Sequence, residues 1–361
     1  MSSRSTGGPS RPLPAGSDQV LAKRYDVALL DLDGVVYVGP KGVPGAAEAL
    51  DEARGAGMRL AFVTNNASRT PEAVAAHLRD LGVNAAVGEV VTSAQAACRV
   101  LAERFPDRGR VLVVGGEGLR QAARDRGFTV VDHVEDEPIA VVQGFSQDIG
   151  WRHLAEAAVA VRRGAFWLAT NLDLTIPSER GPVPGNGALV TVVRLATGVE
   201  PAATGKPDPS MHLESVDRTG ARQPIVVGDR LDTDIEGATR VGCDSLLVLT
   251  GVTTAADLLA ARPEHRPTYV AAGLAGLLVP HPAPSPGDGG SWTCQGWTVR
   301  PAGADLALQI QQDPPERELD PIDALRALCA AAWSAPDSPD GVRPVGPAAT
   351  AAAERLGLAG R

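Results

Sequence analysis

Four short runs of almost continuous apolar residues, at 27–30, 60–63, 225–227 and 246–249, constrain this chain more than any other feature. A strand is written in unbroken apolar text when helices cover both of its faces. Helical patterns separate the runs, so the expected fold is α/β, a Rossmann-like, doubly wound parallel sheet. Each run ends at a polar or glycine-rich turn: DLDG, TNN, GDRLD and TGVT. In open α/β sheets, ligands bind outside the carboxyl ends of the strands, so a site is expected at these turns.

The 361 residues exceed one ordinary domain, and the text divides accordingly. Residues 1–22 are rich in Ser, Gly and Pro and are expected to be a disordered tail. The sheet described above occupies 23–105 and 201–278. Between these parts, 106–200 has its own rhythm, with strands expected at 111–114, 129–131, 139–142 and 166–169 and helices at 118–126 and 151–163. That insert is expected to be an α/β cap domain. A Pro/Gly-rich stretch at 279–290 suggests a linker. Residues 291–361 form a small α+β piece, with strands at 292–300 and 305–310 and helices at 322–333 and 348–356. It is small for a core of its own, so it should dock on the rest of the chain or on another subunit, as in a homo-oligomer.

Composition narrows the partners. A net charge of −9 argues against nucleic acid, whose phosphates recruit clustered Lys and Arg, but leaves room for one local phosphate site. The four cysteines form no CxxC and fit neither a disulfide framework nor a zinc site. No apolar run approaches the roughly 18 residues of a membrane span, and the first residues lack the apolar core of a signal peptide. A cytoplasmic protein without membrane contact is expected.

The chemistry begins at Asp31-Leu32-Asp33-Gly34. Two carboxylates two residues apart in extended chain project to the same side of a strand end. They repel each other, and a divalent cation relieves the repulsion; magnesium takes hard oxygen ligands of this kind together with substrate phosphate. With charge screened, Asp31 can attack phosphorus and form an aspartyl-phosphate. Asp33 can protonate the leaving oxygen and later deprotonate the attacking water. Gly34 permits a sharp exit. Acidic residues also close strands as ordinary turn formers, so the remaining turns carry weight. Thr64-Asn65-Asn66 offers a hydroxyl, backbone N–H groups and amides to a phosphate, or else ordinary turn chemistry. Thr70-Pro71-Glu72 reads as the cap and first turn of a helix. A lysine in a loop is normally just solvated, but Gly205 and Pro207 would aim the Lys206 point charge, which suits a phosphate dianion. Gly228-Asp229 supplies a third magnesium ligand in Asp229. Asp234 is either a supporting acid behind the ligands or the N-cap of a helix at 235–240.

These four turns stand in the order of the four motifs of the haloacid dehalogenase superfamily of phosphohydrolases, which the chain resembles over roughly 25–275. Asp31-Leu-Asp-Gly-Val-Val-Tyr37, Val183-Pro-Gly-Asn-Gly-Ala-Leu189 and Leu249-Thr-Gly-Val-Thr-Thr254 resemble the subclass with a large α/β cap. It includes p-nitrophenyl, phosphoglycolate and pyridoxal phosphate phosphatases and the NagD type. The resemblance implies Asp31 as nucleophile and Asp33 as acid/base. It also implies Mg2+ held by the Asp31 carboxylate, the Asp33 carbonyl and Asp229, and phosphate held by Thr64, Asn65, Asn66 and Lys206. Phe145-Ser146 departs from the pattern, where an aspartate is expected after the phenylalanine. The fused tail resembles actinobacterial glycerol-3-phosphate phosphatases, making a small phosphorylated metabolite the expected substrate and glycerol 3-phosphate the first candidate. Phosphoglycolate, pyridoxal phosphate and sugar phosphates are alternatives. A phosphomutase or a catalytically silent scaffold are further ones.

Rival motifs are weak. Val111-Leu-Val-Val-Gly115-Gly-Glu-Gly118 begins like a dinucleotide-binding turn, but Gln121 replaces its third glycine. The tail's strand–strand–helix order resembles part of a GCN5-related acetyltransferase fold without a glycine-rich pyrophosphate turn, so a structural role is expected for it. In the cap, Thr170–Asp173 (TNLD) and Pro184–Asn186 either face the substrate or are simple turns.

Overall fold

The computed structural model describes residues 16–176, 180–311 and 318–359. The strands of its three larger sheets are, in chain order, β1 (Val27–Leu30), β2 (Arg59–Thr64), β3 (Val90–Thr92), β4 (Arg110–Val114), β5 (Thr129–Val131), β6 (Ala140–Gln143), β7 (Phe166–Ala169) and β8 (Ala202–Ala203). Then follow β9 (Pro224–Gly228), β10 (Asp244–Val248), β11 (Tyr269–Ala271), β12 (Ser285–Pro286), β13 (Trp292–Cys294), β14 (Trp297–Ala302), β15 (Asp305–Ile310) and β16 (Val342–Pro344). The core sheet has the order β11-β10-β9-β1-β2-β3. Contacts divide the chain into two compact units: Leu29–Gly42 with Leu60–Arg222, and the remainder, including Gln223 onward.

In the first of these, β2 and β3 run parallel, with Thr64 opposite Thr92. The helix Pro71–Asp80 starts as its sequence dictates, with Pro71 in the first turn and the Thr70 hydroxyl accepting the Ala73 N–H at 3.3 Å. The insert forms a parallel sheet of its own, in the order β8-β7-β6-β4-β5. Strand alternation explains why β4 is apolar from Val111 to Val114. Val111 and Val113 pack into one core with Leu119, Leu168 and Leu101 of the helix Ser93–Arg104. Leu112 and Val114 enter a second core with Trp167, Val190 and Val193. Both faces are covered, as unbroken apolar text requires.

In the other unit, β9, β10 and β11 pair in parallel. The C-terminal sheet β12-β13-β14-β15-β16 is antiparallel except for its last pair. Against it lies the helix Pro321–Ser334, buried from Ile322 to Trp333. Its Leu325, Leu328 and Trp333 share one apolar cluster with Leu247, Leu258 and Val270 of the α/β core. Of the two docking partners expected for the tail, the chain itself provides one.

A buried polar junction fixes this attachment. Arg326 donates to Asp323 at 2.5 Å, to the Val270 carbonyl at 2.9 Å and to His281 Nδ1 at 3.1 Å. His281 in turn donates from Nε2 to the Gly276 carbonyl at 2.7 Å. Burial lowers the His281 pKa to about 4, with the Arg326 cation acting in the same direction. The ring is therefore neutral at pH 7 and can accept at Nδ1.

Three expectations of organisation change. Residues 16–22 are not a disordered tail: Ser17 pairs with His281 at 2.7 and 2.9 Å, and Leu21 is fully buried. Residues 1–15 lie outside the described residues. The 279–290 stretch is not a free linker, because Ser285 and Pro286 pair with Thr293 and Trp292. The strand expected at 292–300 is two strands, broken by a tight turn with Gln295 and Gly296 both at positive φ. Proline and glycine mark turns in the sequence, but they do not say whether the chain on either side is paired.

Candidate active site

At the end of β1 the chain alternates sides. Leu32 is fully buried, and Asp31 and Asp33 flank it on the other side. The Leu32 carbonyl accepts N–H groups from Val35, Val36 and Tyr37 at 3.3, 2.9 and 3.1 Å. This curl is tight enough to need Gly34 at φ +85°, as its position after the acids implies. The Lys206 ammonium donates to Asp31 Oδ1 at 2.5 Å, the two side chains being 3% and 12% exposed. A lysine 175 residues along the chain is thus aimed at the first acid rather than solvated.

Asp33 is in contact with solvent, yet the protein around it withholds enough water to raise its pKa above the usual carboxylate range. The charges of Lys206, Arg69 and His77 pull the other way and lose. A carboxyl shifted upward is suited to giving a proton. Tyr37, missed in the sequence, packs edge-on against His77. Burial raises its phenol far above its ordinary value, and the charges of Asp33 and Asp31 add to this.

The TNN turn does three separate jobs. Thr64 is buried, and its hydroxyl accepts the Asn66 N–H at 3.1 Å. Asn66 Oδ1 accepts from Ser68 N–H, Ser68 Oγ and Arg69 N–H at 2.9, 2.9 and 3.2 Å, the ordinary chemistry of a turn. Asn65 faces the Lys206 loop. Its Oδ1 accepts the Lys206 N–H at 2.9 Å, and its Nδ2 donates to Asp173 Oδ2 at 3.2 Å.

The fourth turn lies in the other unit. Asp229 is fully buried after β9, and its Oδ2 accepts the Val252 N–H at 2.6 Å. A Cβ on Gly251 would lie 1.9 Å from that oxygen, which explains the glycine in Leu249-Thr-Gly-Val-Thr-Thr254. Asp234 is 1% exposed and accepts the Arg230 N–H at 3.2 Å. It does not cap a helix: residues Leu231–Ile235 form a wide π-turn, and Ile235 precedes the helix Glu236–Val241. Asp232 is paired with Arg230 at the surface.

The dinucleotide-like glycines have a packing cause. A Cβ on Gly118 would lie 2.3 Å from the Arg69 carbonyl oxygen, and one on Gly116 would lie 3.0 Å from that of Ser68. They let the cap backbone approach the segment that follows TNN. Ser146, at the position departing from the family pattern, accepts the Asp148 N–H at 3.3 Å within its own turn.

An acidic turn on a Rossmann-like strand, a lysine bonded to its first carboxylate and an inserted α/β cap define a class of hydrolase. Residues 28–129 match the family model of haloacid dehalogenase-like hydrolases, residues 203–277 a HAD-hydrolase-like model, and 294–358 a GCN5-related N-acetyltransferase-like domain. The chain belongs to the haloacid dehalogenase-like hydrolase family and is a phosphatase within it. It is 43% identical over 331 residues to the D-glycerol 3-phosphate phosphatase of Mycobacterium tuberculosis, covering 90% of each chain. A crystal structure of glycerol phosphate phosphatase from that organism, in complex with magnesium, superimposes with a TM-score of 0.85 at 42% identity, covering 94% of this chain and 99% of the other. The p-nitrophenyl phosphatase of Archaeoglobus fulgidus, at 31% identity and TM-score 0.65, covers 70% of this chain and 98% of its own.

Proposed function

We propose that this chain hydrolyses a small phosphorylated metabolite, glycerol 3-phosphate before others, with Asp31 as nucleophile and Asp33 as acid and base. The observation that carries the mechanism is the buried Lys206–Asp31 pair. A lysine held there offers a phosphate dianion the positive charge that a carboxylate nucleophile lacks. Asp31 attacks phosphorus as the ester P–O bond breaks, and Asp33 gives its proton to the departing alkoxide oxygen. Water then attacks the aspartyl-phosphate, Asp33 takes a proton from it, and inorganic phosphate leaves Asp31 restored. The Thr64 hydroxyl and the N–H groups of the TNN turn, with Lys206, are assigned to the phosphate oxygens.

Asp31, Asp229 and Asp234 are a set of hard oxygen donors of the kind magnesium prefers. We assign Mg2+ to the Asp31 and Asp229 carboxylates and the Asp33 carbonyl, with Asp234 supporting the Asp229 turn through its backbone. When bound, the ion neutralises charge between nucleophile and phosphate. Chelation with EDTA is expected to abolish phosphate release and added magnesium to restore it; turnover that persists after chelation overturns the assignment. Replacing Lys206 by Ala should remove about 2–4 kcal/mol of transition-state stabilisation, as for one lost oxyanion donor, read as kcat/KM. An unchanged value would mean that Lys206 does no chemical work.

Glycerol 3-phosphate leads because the mycobacterial relative matches 90% of this chain, whereas the 39% identical acid sugar phosphatase of Staphylococcus epidermidis matches 68%. Phosphate release should be compared across glycerol 3-phosphate, phosphoglycolate, pyridoxal phosphate and sugar phosphates. A higher kcat/KM for any of the others displaces the substrate without touching the mechanism. A cytoplasmic location is part of this proposal: the four cysteines form no disulfide, and burial pushes the Cys98 thiol up to about 12 and Cys243 to about 11. Among the described residues, no helix is long and apolar enough to cross a membrane.

A further inference from the structure

The TNLD turn of the cap was expected either to face substrate or to be a plain turn, and its hydrogen bonds describe neither. Asn171 is buried, and its Nδ2 donates to the Asn65 carbonyl at 2.8 Å. Its Oδ1 accepts the Asp173 N–H at 3.2 Å, and its own carbonyl accepts from the fully buried Asn186 at 2.8 Å. Asp173 Oδ2 accepts from Asn65 Nδ2 at 3.2 Å. Asn65 receives a further bond on its carbonyl from Ser93 Oγ at 2.6 Å. Its amide brackets Lys206, accepting the backbone N–H at 2.9 Å and approaching the backbone carbonyl at 3.4 Å. Gly205 lets this loop lie against the turn: a Cβ there would come within 2.6 Å of the Thr170 carbonyl oxygen and of Asn171 Cβ.

We infer that Asn171 and Asp173 are positioning residues for the chemical step. They orient the Asn65 amide, which fixes the Lys206 backbone so that its ammonium meets Asp31. This inference rests on the Lys206–Asp31 mechanism proposed above. An amide side chain can rotate and can present either face, so Asn65 alone does not define the lysine's place. Asn171 holds the Asn65 backbone carbonyl and so fixes where that side chain starts, while the Asp173 carboxylate, which only accepts, takes Nδ2 and leaves Oδ1 on the Lys206 N–H. A turn distant in sequence from every catalytic motif thus acts on phosphate chemistry without touching substrate, and loss of its bonds acts alike on any ester.

The test uses the full-length protein with magnesium and two substrates of unlike leaving group, glycerol 3-phosphate and p-nitrophenyl phosphate. Asp173→Ala and Asn171→Asp should each lower kcat/KM at least about tenfold, by the same factor on both substrates, with melting temperature retained. Asp173→Asn keeps an oxygen acceptor for Asn65 and should recover most of the rate. Leu172→Ala, an exposed neighbour on the same turn, should change nothing. In a Lys206→Ala background the same cap substitutions should cost less than about twofold, because residues acting through one partner are not additive. Losses confined to one substrate, or losses that multiply in that background, overturn the inference and make the turn a substrate contact or a merely structural feature. Full activity of the cap variants overturns it as well. If Lys206→Ala itself retains full activity, the failure lies with the proposed mechanism and not with the cap turn alone.

Discussion

Asp31→Asn is expected to fold and melt like the parent protein and to lose at least about a hundredfold of its phosphatase rate. The amide is nearly the size of the carboxylate and can still accept the Lys206 ammonium through its oxygen, so packing around Leu32 and Gly34 has no cause to change. What disappears is the anionic oxygen that, in the proposed mechanism, forms the bond to phosphorus. Steady-state phosphate release reads the loss, and quenched-flow trapping of labelled enzyme reads its cause: the parent should accumulate acid-stable phosphate on protein and the variant none. A variant retaining more than about a hundredth of the rate would mean that water attacks phosphorus directly. Asp31 would then be a ligand only.

Arg326→Ala should destabilise the unit formed by β9–β11 and the C-terminal sheet by about 3–5 kcal/mol, since it strips the buried Asp323 carboxylate of its cation. It also takes donors from the Val270 carbonyl and His281. Urea unfolding followed by tryptophan emission is the measurement, because Trp292, Trp297 and Trp333 all lie in the affected cluster. Replacing both partners, Asp323→Leu with Arg326→Met, should cost less than the single change, because no charge is then buried without a partner. If Arg326→Ala leaves the midpoint unmoved, the junction does not hold the tail in place, and the shared apolar cluster alone does. Phosphatase activity at low temperature should survive either substitution, as none of these residues belongs to the proposed catalytic set.

How much of this could be read from residues in order depended on the range of the interaction concerned. The parallel sheet was legible because burial on both faces leaves its mark inside each four- or five-residue run, as in Val27–Leu30 and Pro224–Gly228. The Thr70–Pro71 helix start and the Gly34 exit were legible for the same reason: a cap or a positive φ is decided by a few adjacent residues. The acids of the proposed catalytic set stood out because their turns recur in a known order. Short strands such as β3 and β16 were missed, although β5, equally short, was read. The wide π-turn that denies Asp234 a capping role was missed as well, because local composition there suits an ordinary helix start.

By itself the sequence determined the α/β class, the presence of an inserted cap, and the acids and lysine on which the proposed chemistry rests. Tertiary structure decided what their neighbours do. Asn65 meets Asp173 across 108 residues and Lys206 across 141, and no periodicity or motif spacing records such a meeting. It decided too that the tail completes the core, because Leu258 and Leu328 become neighbours only once both ends of that unit have folded. Hydrogen bonds and apolar contacts act over a few ångströms of space, and only local ones leave a trace in the order of residues.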